Sequence, residues 1–173
     1  MVKRIGFNLP GAALVILAIA SIASDQSRAA VAEAKGDTLS VKAIAEVETK
    51  VSLNGRDTIK LMPADHVVPG DEVIYTLEIR NTGATPVLAP SVRFAIPNHM
   101  RYLADSAAGP GVDVSFSVDG GRIFDVPENL WVAGPAGQLR PATAADYTHI
   151  RWQLKHRLKV NSVAFARFRA VVK

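Results

Sequence analysis

The 173 residues contain no cysteine. That excludes disulfides, thiol nucleophiles, thiolate metal centres and acylation of a lipoprotein cysteine, and it leaves the fold to its apolar core. Aromatic residues are sparse at 6%, so each one in a strand carries a large share of that core. Long apolar runs are also missing. The longest apolar run, Ala12 to Ala23, is about a dozen residues, against the roughly 20 needed to cross a bilayer as a helix. There is no G-x-S-x-G elbow, no Walker loop and no G-x-G-x-x-G, and Gly109-Pro110-Gly111 reads only as a turn. The four histidines, His66, His99, His149 and His156, lack the H-x-E or H-x₃-H spacing that brings ligands or a general base onto one face. Nothing positive points to an enzyme, and no cofactor is implied. The aspartates Asp65, Asp71, Asp105, Asp113, Asp119 and Asp125 form no D-x-D-x-D-G loop. A structural Ca²⁺ assembled from several loops is the one ion left open.

What is present begins with a basic start, Lys3-Arg4, the short apolar run, and small residues at Ser21-Ile22-Ala23 and Ala30-Val31-Ala32. This is the grammar of a secretory signal peptide. Residues 1–32 are expected to be a signal peptide cleaved between 23 and 32, and 33–173 a single domain, with an uncleaved anchor as the alternative. Export places the protein in the periplasm, at the cell surface or outside the cell, with no stable membrane span after cleavage. Removing residues 1–32 lowers Lys+Arg from 20 to 17 and Asp+Glu from 16 to 15, leaving a net charge of +2 instead of +4. Nucleic acid is therefore not an expected partner. About 140 residues can bury most of their unfolded surface as one domain, and no internal period of 20 to 50 residues divides them.

The rest of the chain has the two-residue period of β-strands. In Val67 to Gly83, a Pro-Gly-Asp turn feeds a strand with Val73, Tyr75, Leu77 and Ile79 on one face and Ile74, Thr76, Glu78 and Arg80 on the other. From Thr38 to Leu53, Leu39, Val41, Ala43, Ala45, Val47, Val51 and Leu53 share a register. Asn54-Gly55 is a hairpin signal, because a type I′ turn needs φ > 0 at both central positions, and it leads into a strand from Asp57 to Met62 that should pair with the preceding one. Further strands are expected at Glu72–Arg80, Ser91–Ile96, Arg101–Ser106, Val112–Val118 (Val112, Val114, Phe116 and Val118 inward), Arg122–Phe124, Thr148–Leu154 (Ile150, Trp152 and Leu154 inward) and Ser162–Val172 (Phe165 and Phe168 inward). Pro127 to Pro141 reads as a long surface loop held by Trp131, or else a disordered flap. Tyr75, Phe116, Trp152 and Phe165 are expected in the core. Tyr102, Tyr147 and Trp131 are expected near loops, as anchors or as platforms for sugar rings.

The Pro69-Gly70-Asp71 turn, the Tyr75-Thr76 strand and Asn81-Thr82-Gly83, followed by Pro97, Ser106, SVDGGRIF, RPATAADYTHIRW and FARFRAVVK, resemble the bacterial DUF11 family, the conserved repeat domain of secreted and surface proteins. The resemblance covers most of residues 60–173. It implies an all-β, immunoglobulin-like Greek-key sandwich of about 8–9 strands that acts as a structural or interaction module of the envelope or surface. Expected partners are other envelope or extracellular proteins, the protein itself, or an anionic glycan.

Two surfaces are candidates. Lys155, Arg157 and Lys159, with Arg167 and Arg169, would form an anionic-ligand surface if they shared one pole; otherwise they are the charges of a solvated hairpin. The long first strand, through Val41, Ala45, Val47 and Val51, would serve assembly by strand addition; otherwise it is the first strand of its own sandwich.

Overall fold

The computed structural model describes residues 32–34, 38–53, 55–135 and 137–173. The expected signal peptide lies outside them except for its last residue, Ala32. The strands are Ala32–Ala34 (β1), Leu39–Leu53 (β2), Arg56–Pro63 (β3), Glu72–Asn81 (β4), Ser91–Ala95 (β5), Met100–Tyr102 (β6), Val112–Ser117 (β7), Trp131–Ala133 (β8), Leu139–Pro141 (β9), His149–Leu154 (β10) and Val163–Val172 (β11). The described residues hold one short 3-10 turn, Pro127–Asn129, and no α-helix. Two open antiparallel sheets result, ordered β1-β5-β10-β7 and β3-β2-β4-β11-β6, with β8-β9 as a separate two-stranded ribbon.

Alternation in the sequence becomes alternation of burial. Along β4, Val73, Leu77 and Ile79 are buried and Tyr75 is half-buried, facing Val92 and Phe94 of β5 and Ile150 and Trp152 of β10. Phe168 of β11 is the hub. Its ring lies 4.8 Å from Tyr75 (stacked), 5.4 Å from Phe94 and 6.1 Å from Trp152. Aromatic pairs at such distances add to the roughly 2–3 kcal/mol that full burial of one large apolar side chain provides. Val41, Ala45 and Val47 of β2 pack against the same core.

The turns explain where strands begin and end. Pro69 and Gly70 (φ 98°) make a turn in which the Asp71 N–H donates to the Val68 carbonyl at 3.0 Å and the Val68 N–H donates to the Asp71 carboxylate at 2.9 Å. At the far end of β4, Asn81 is fully buried. Its side-chain amide donates to the Thr85 carbonyl (2.9 Å) and the Leu158 carbonyl (3.0 Å), and its side-chain oxygen accepts the Gly83 N–H (2.9 Å). Gly83 itself is required by space, since a Cβ there would sit 2.7 Å from the Thr38 side chain.

Several expectations are corrected. Phe165 is 51% exposed; it is three residues from Phe168, an odd spacing that puts the two on opposite faces of a regular strand. Arg122–Phe124 is not a strand, because the Asp119 carboxylate accepts the Arg122 and Ile123 N–H groups and curls the chain into a local turn. The expected strand Arg101–Ser106 stops at Tyr102. Asp105 (φ 58°) turns the chain there, and the Ser106 hydroxyl accepts the Arg169 N–H in place of a ladder carbonyl. Tyr102 is buried in the core, and its hydroxyl accepts the Ala107 N–H at 3.0 Å, so it anchors the loop after β6 and offers no exposed platform for a sugar ring. The stretch Pro127–Pro141 is ordered into the 3-10 turn and the β8-β9 ribbon. Its anchor is Leu130, 6% exposed, and Trp131 is 52% exposed.

Candidate functional site

The longest open sheet edge among the described residues is β3. It follows from a mismatch in length: β2 pairs with β4 over Leu39–Val47 but with β3 over Glu46–Leu53. Beyond Val47 the β2-β3 hairpin therefore projects past the start of β4 as a two-stranded ribbon, about six residues or 20 Å long. Gly55, φ 75°, occupies the turn between Leu53 and Arg56; the Asn54 half of the expected Asn-Gly turn lies outside the described residues.

Every residue of β3 is exposed, including Ile59 (60%), Leu61 (42%) and Met62 (47%). The Ala64 N–H donates to the Ala45 carbonyl at 3.0 Å. Alternation of hydrogen-bonding direction then turns the N–H and C=O groups of Thr58, Lys60 and Met62 toward β2 and those of Asp57, Ile59 and Leu61 outward. Pro63, which has no N–H to leave unpaired, sits in the outward register at the end of this edge. The remaining edges are shorter or covered. β1 and β6 have three residues each, and β7 is bridged by mutual Phe116–Asp125 main-chain bonds of 2.9 and 3.0 Å.

The root of the ribbon is clamped electrostatically. Arg169 on β11 reaches across β4 to Glu72 and Glu48, the latter at 2.8 Å. These two carboxylates, Glu72 first, raise the guanidinium's pKa above its ordinary value; Ile74, the cross-strand partner of Arg169, is buried beside this cluster although it lies on the outward register of β4.

The structure places the expected site residues differently from one another. Val41, Ala45 and Val47 face the core of their own sheet pair, so their strand is interior to this sheet, and Val51 is half-exposed on the projecting ribbon. Lys155, Arg157 and Lys159 lie in the β10-β11 connection, where Lys155 pairs with Asp113 at 2.8 Å. Arg167 and Arg169 stand four and six residues into β11, about 13 and 20 Å from its start, and Arg169 is already engaged by the two glutamates. The five cations are not brought to one pole.

The outer face beside Phe165 carries an open apolar groove of about 630 Å³, lined by Thr76, Ala108, Gly109, Pro110, Phe165, Ala166 and Arg167. Among the described residues, no three His, Asp or Glu side chains come together in a metal-ligating arrangement. The aspartates serve local structure. Asp119 accepts from the Ser117 hydroxyl (2.7 Å) and the Ile123 N–H (3.1 Å), which lowers its pKa. Asp125 accepts from the Asn129 amide and the Val126 N–H, with the same effect. The Arg140 guanidinium, bidentate at 2.7 and 2.8 Å, holds the Asp146 carboxyl well below the usual carboxylate range.

The sequence places the candidate assembly strand in β2, whereas the open edge of this hairpin is β3. Ile59 and Leu61 are an apolar alternation within Asp57–Met62, with Met62 in the other register, but which strand of a pair stays open depends on where a third strand docks. No family model matches the chain, and no curated protein or solved structure matches it either.

Proposed function

We propose that this chain is an exported, non-catalytic interaction module of the bacterial cell envelope or surface, an immunoglobulin-like Greek-key sandwich of the DUF11 kind. It engages polypeptide partners by strand addition at β3. The observation that carries this reading is the open β3 edge: outward main-chain groups at Asp57, Ile59 and Leu61, flanked by exposed apolar side chains, offer what an extended segment needs to join a sheet. The Greek-key reading draws on the chain path, which crosses between the two sheets from β1 to β2, from β4 to β5, from β5 to β6, from β6 to β7 and from β10 to β11. Export draws on the leader-like first 32 residues. A basic-pole reading has less support, because the cations are dispersed and two of them are paired.

A photo-crosslinking residue at position 59, compared with one at position 122, which is also exposed, tests the reading in cells. Polypeptide adducts concentrated at 59 are expected, with their loss in a companion variant, Leu61→Pro, that removes an outward N–H while the sandwich stays folded. Equal labelling at both positions would refute it.

A further inference from the structure

Resting on that reading, the geometry points to a specific occupant of the β3 edge: the β3 strand of a second copy of this chain, antiparallel about a two-fold axis, with Ile59 opposite Ile59. An axis relating two neighbouring antiparallel strands runs perpendicular to the sheet, and opposed side chains share a face. The numbers of opposed residues must therefore sum to an even value, and only a few registers remain.

A sum of 114 sets Asp57 against Asp57, 116 sets Lys60 against Arg56, and 120 sets Lys60 against Lys60, each a like-charge pair directly opposed. A sum of 122 sets Pro63 against Ile59, where the proline has no N–H to give. The sum of 118 has neither defect. It opposes Ile59 with Ile59, Thr58 with Lys60, Asp57 with Leu61 and Arg56 with Met62.

The outward N–H and C=O groups of Asp57, Ile59 and Leu61 then meet their counterparts in both copies, so all of these edge groups become paired. On the face that carries Ile59, the neighbouring β2 positions are Lys50 opposite Ile59 and Glu48 opposite Leu61, so the apolar pair at the axis is bordered by charges of both signs. The ribbon's projection beyond β4 gives the two bodies room. The joined sheets would be continuous, β6-β11-β4-β2-β3 followed by β3-β2-β4-β11-β6 of the second copy.

The absence of cysteine permits a clean register test. Opposed residues in an antiparallel pair have Cα separations of about 4.5–5.5 Å, within disulfide range. Under mild oxidation, Ile59→Cys should give a covalent homodimer. Thr58→Cys and Lys60→Cys should each give no covalent dimer alone and should form a mixed covalent dimer when combined. Light scattering across a concentration series should show the unmodified protein rising toward twice the monomer mass. Ile59→Lys, which opposes two charges at the axis, should remain monomeric with an unchanged melting temperature.

A homodimer from Lys60→Cys alone, or Ile59→Cys dimers no more abundant than those of an Arg122→Cys control, would overturn the proposal. If that happens while position 59 still forms adducts with other polypeptides, the edge reading survives and only self-pairing fails. Loss of both would remove both.

Discussion

Asn81 shows how one polar side chain can hold several segments. Its side chain ties β4 to the Thr85 turn and the β10-β11 connection; truncation would remove the amide donor of the Thr85 carbonyl, leave the Leu158 carbonyl with the Val87 N–H alone, and strip the Gly83 N–H of its acceptor. Asn81→Ala should cost about 2–4 kcal/mol in chemical denaturation; a loss under 1 kcal/mol would show that water replaces the amide freely. Phe168→Ala removes the hub ring and should cost about 3–5 kcal/mol. Phe165→Ser, three residues away on the solvent side, should stay within about 0.5 kcal/mol. The contrast between the two phenylalanines is the sharper check, since it depends only on which face each occupies.

Asp146 gives a pH prediction. Its folded-state pKa is depressed by Arg140, so the stabilisation is fully present above the unfolded carboxyl value of about 3.9 and is lost as pH falls below it toward the folded value. The melting temperature should therefore drop below about pH 4, and Asp146→Asn should flatten that drop. An identical acid profile for the two proteins would show that the ion pair is fully compensated by solvent.

At the scale of elements, the β2-β3 hairpin depends on a turn and a clamp. Gly55 has positive φ, and Gly55→Val should loosen the ribbon, read as faster amide exchange at Thr58 and Lys60, with the main melting transition preserved. Glu48→Lys breaks one arm of the clamp and sets two cations together. Faster exchange at the ribbon root, more pronounced at low salt where charges are less screened, is the expected result.

Legibility in the sequence followed the same division. β4 and β10 were readable because alternation and flanking turns are local signals; the inward residues of β10 are the buried ones, and β4 departs from alternation at half-buried Tyr75 and at Ile74, buried on the outward register. The β2-β3 pairing was readable from Asn54-Gly55. Phe165 was misassigned because its size was weighed above the parity of its position. Trp131 was taken as an anchor for the same reason, although enclosure fell to its smaller neighbour Leu130. The open side of β3 was not readable, because a strand becomes an edge only through what fails to dock beside it.

For the whole molecule, two layers of strands enclose a core built around few aromatics, with no covalent cross-link. Stability should therefore be insensitive to redox conditions: adding reductant should leave the melting temperature unchanged. If the proposed signal peptide is cleaved, protein recovered from an exported fraction should start between residues 24 and 33, measurable by intact mass; recovery of an intact Met1 would support a retained anchor. β1 makes this boundary structurally relevant, since Ala32 lies opposite Phe94 of β5, and cleavage after Ala32 would leave Glu33 and Ala34 to hold that edge.

The strand order also has a mechanical meaning. Tension entering at β3 along the strand direction passes to β2 across the register Glu46–Leu53, to β4 across Leu39–Val47, and to β11 across Val163–Val171. In that direction the ladders are sheared, so their hydrogen bonds share the load instead of peeling one after another. The edge that is easiest to join at rest is thus also the one through which the body can be pulled without unzipping.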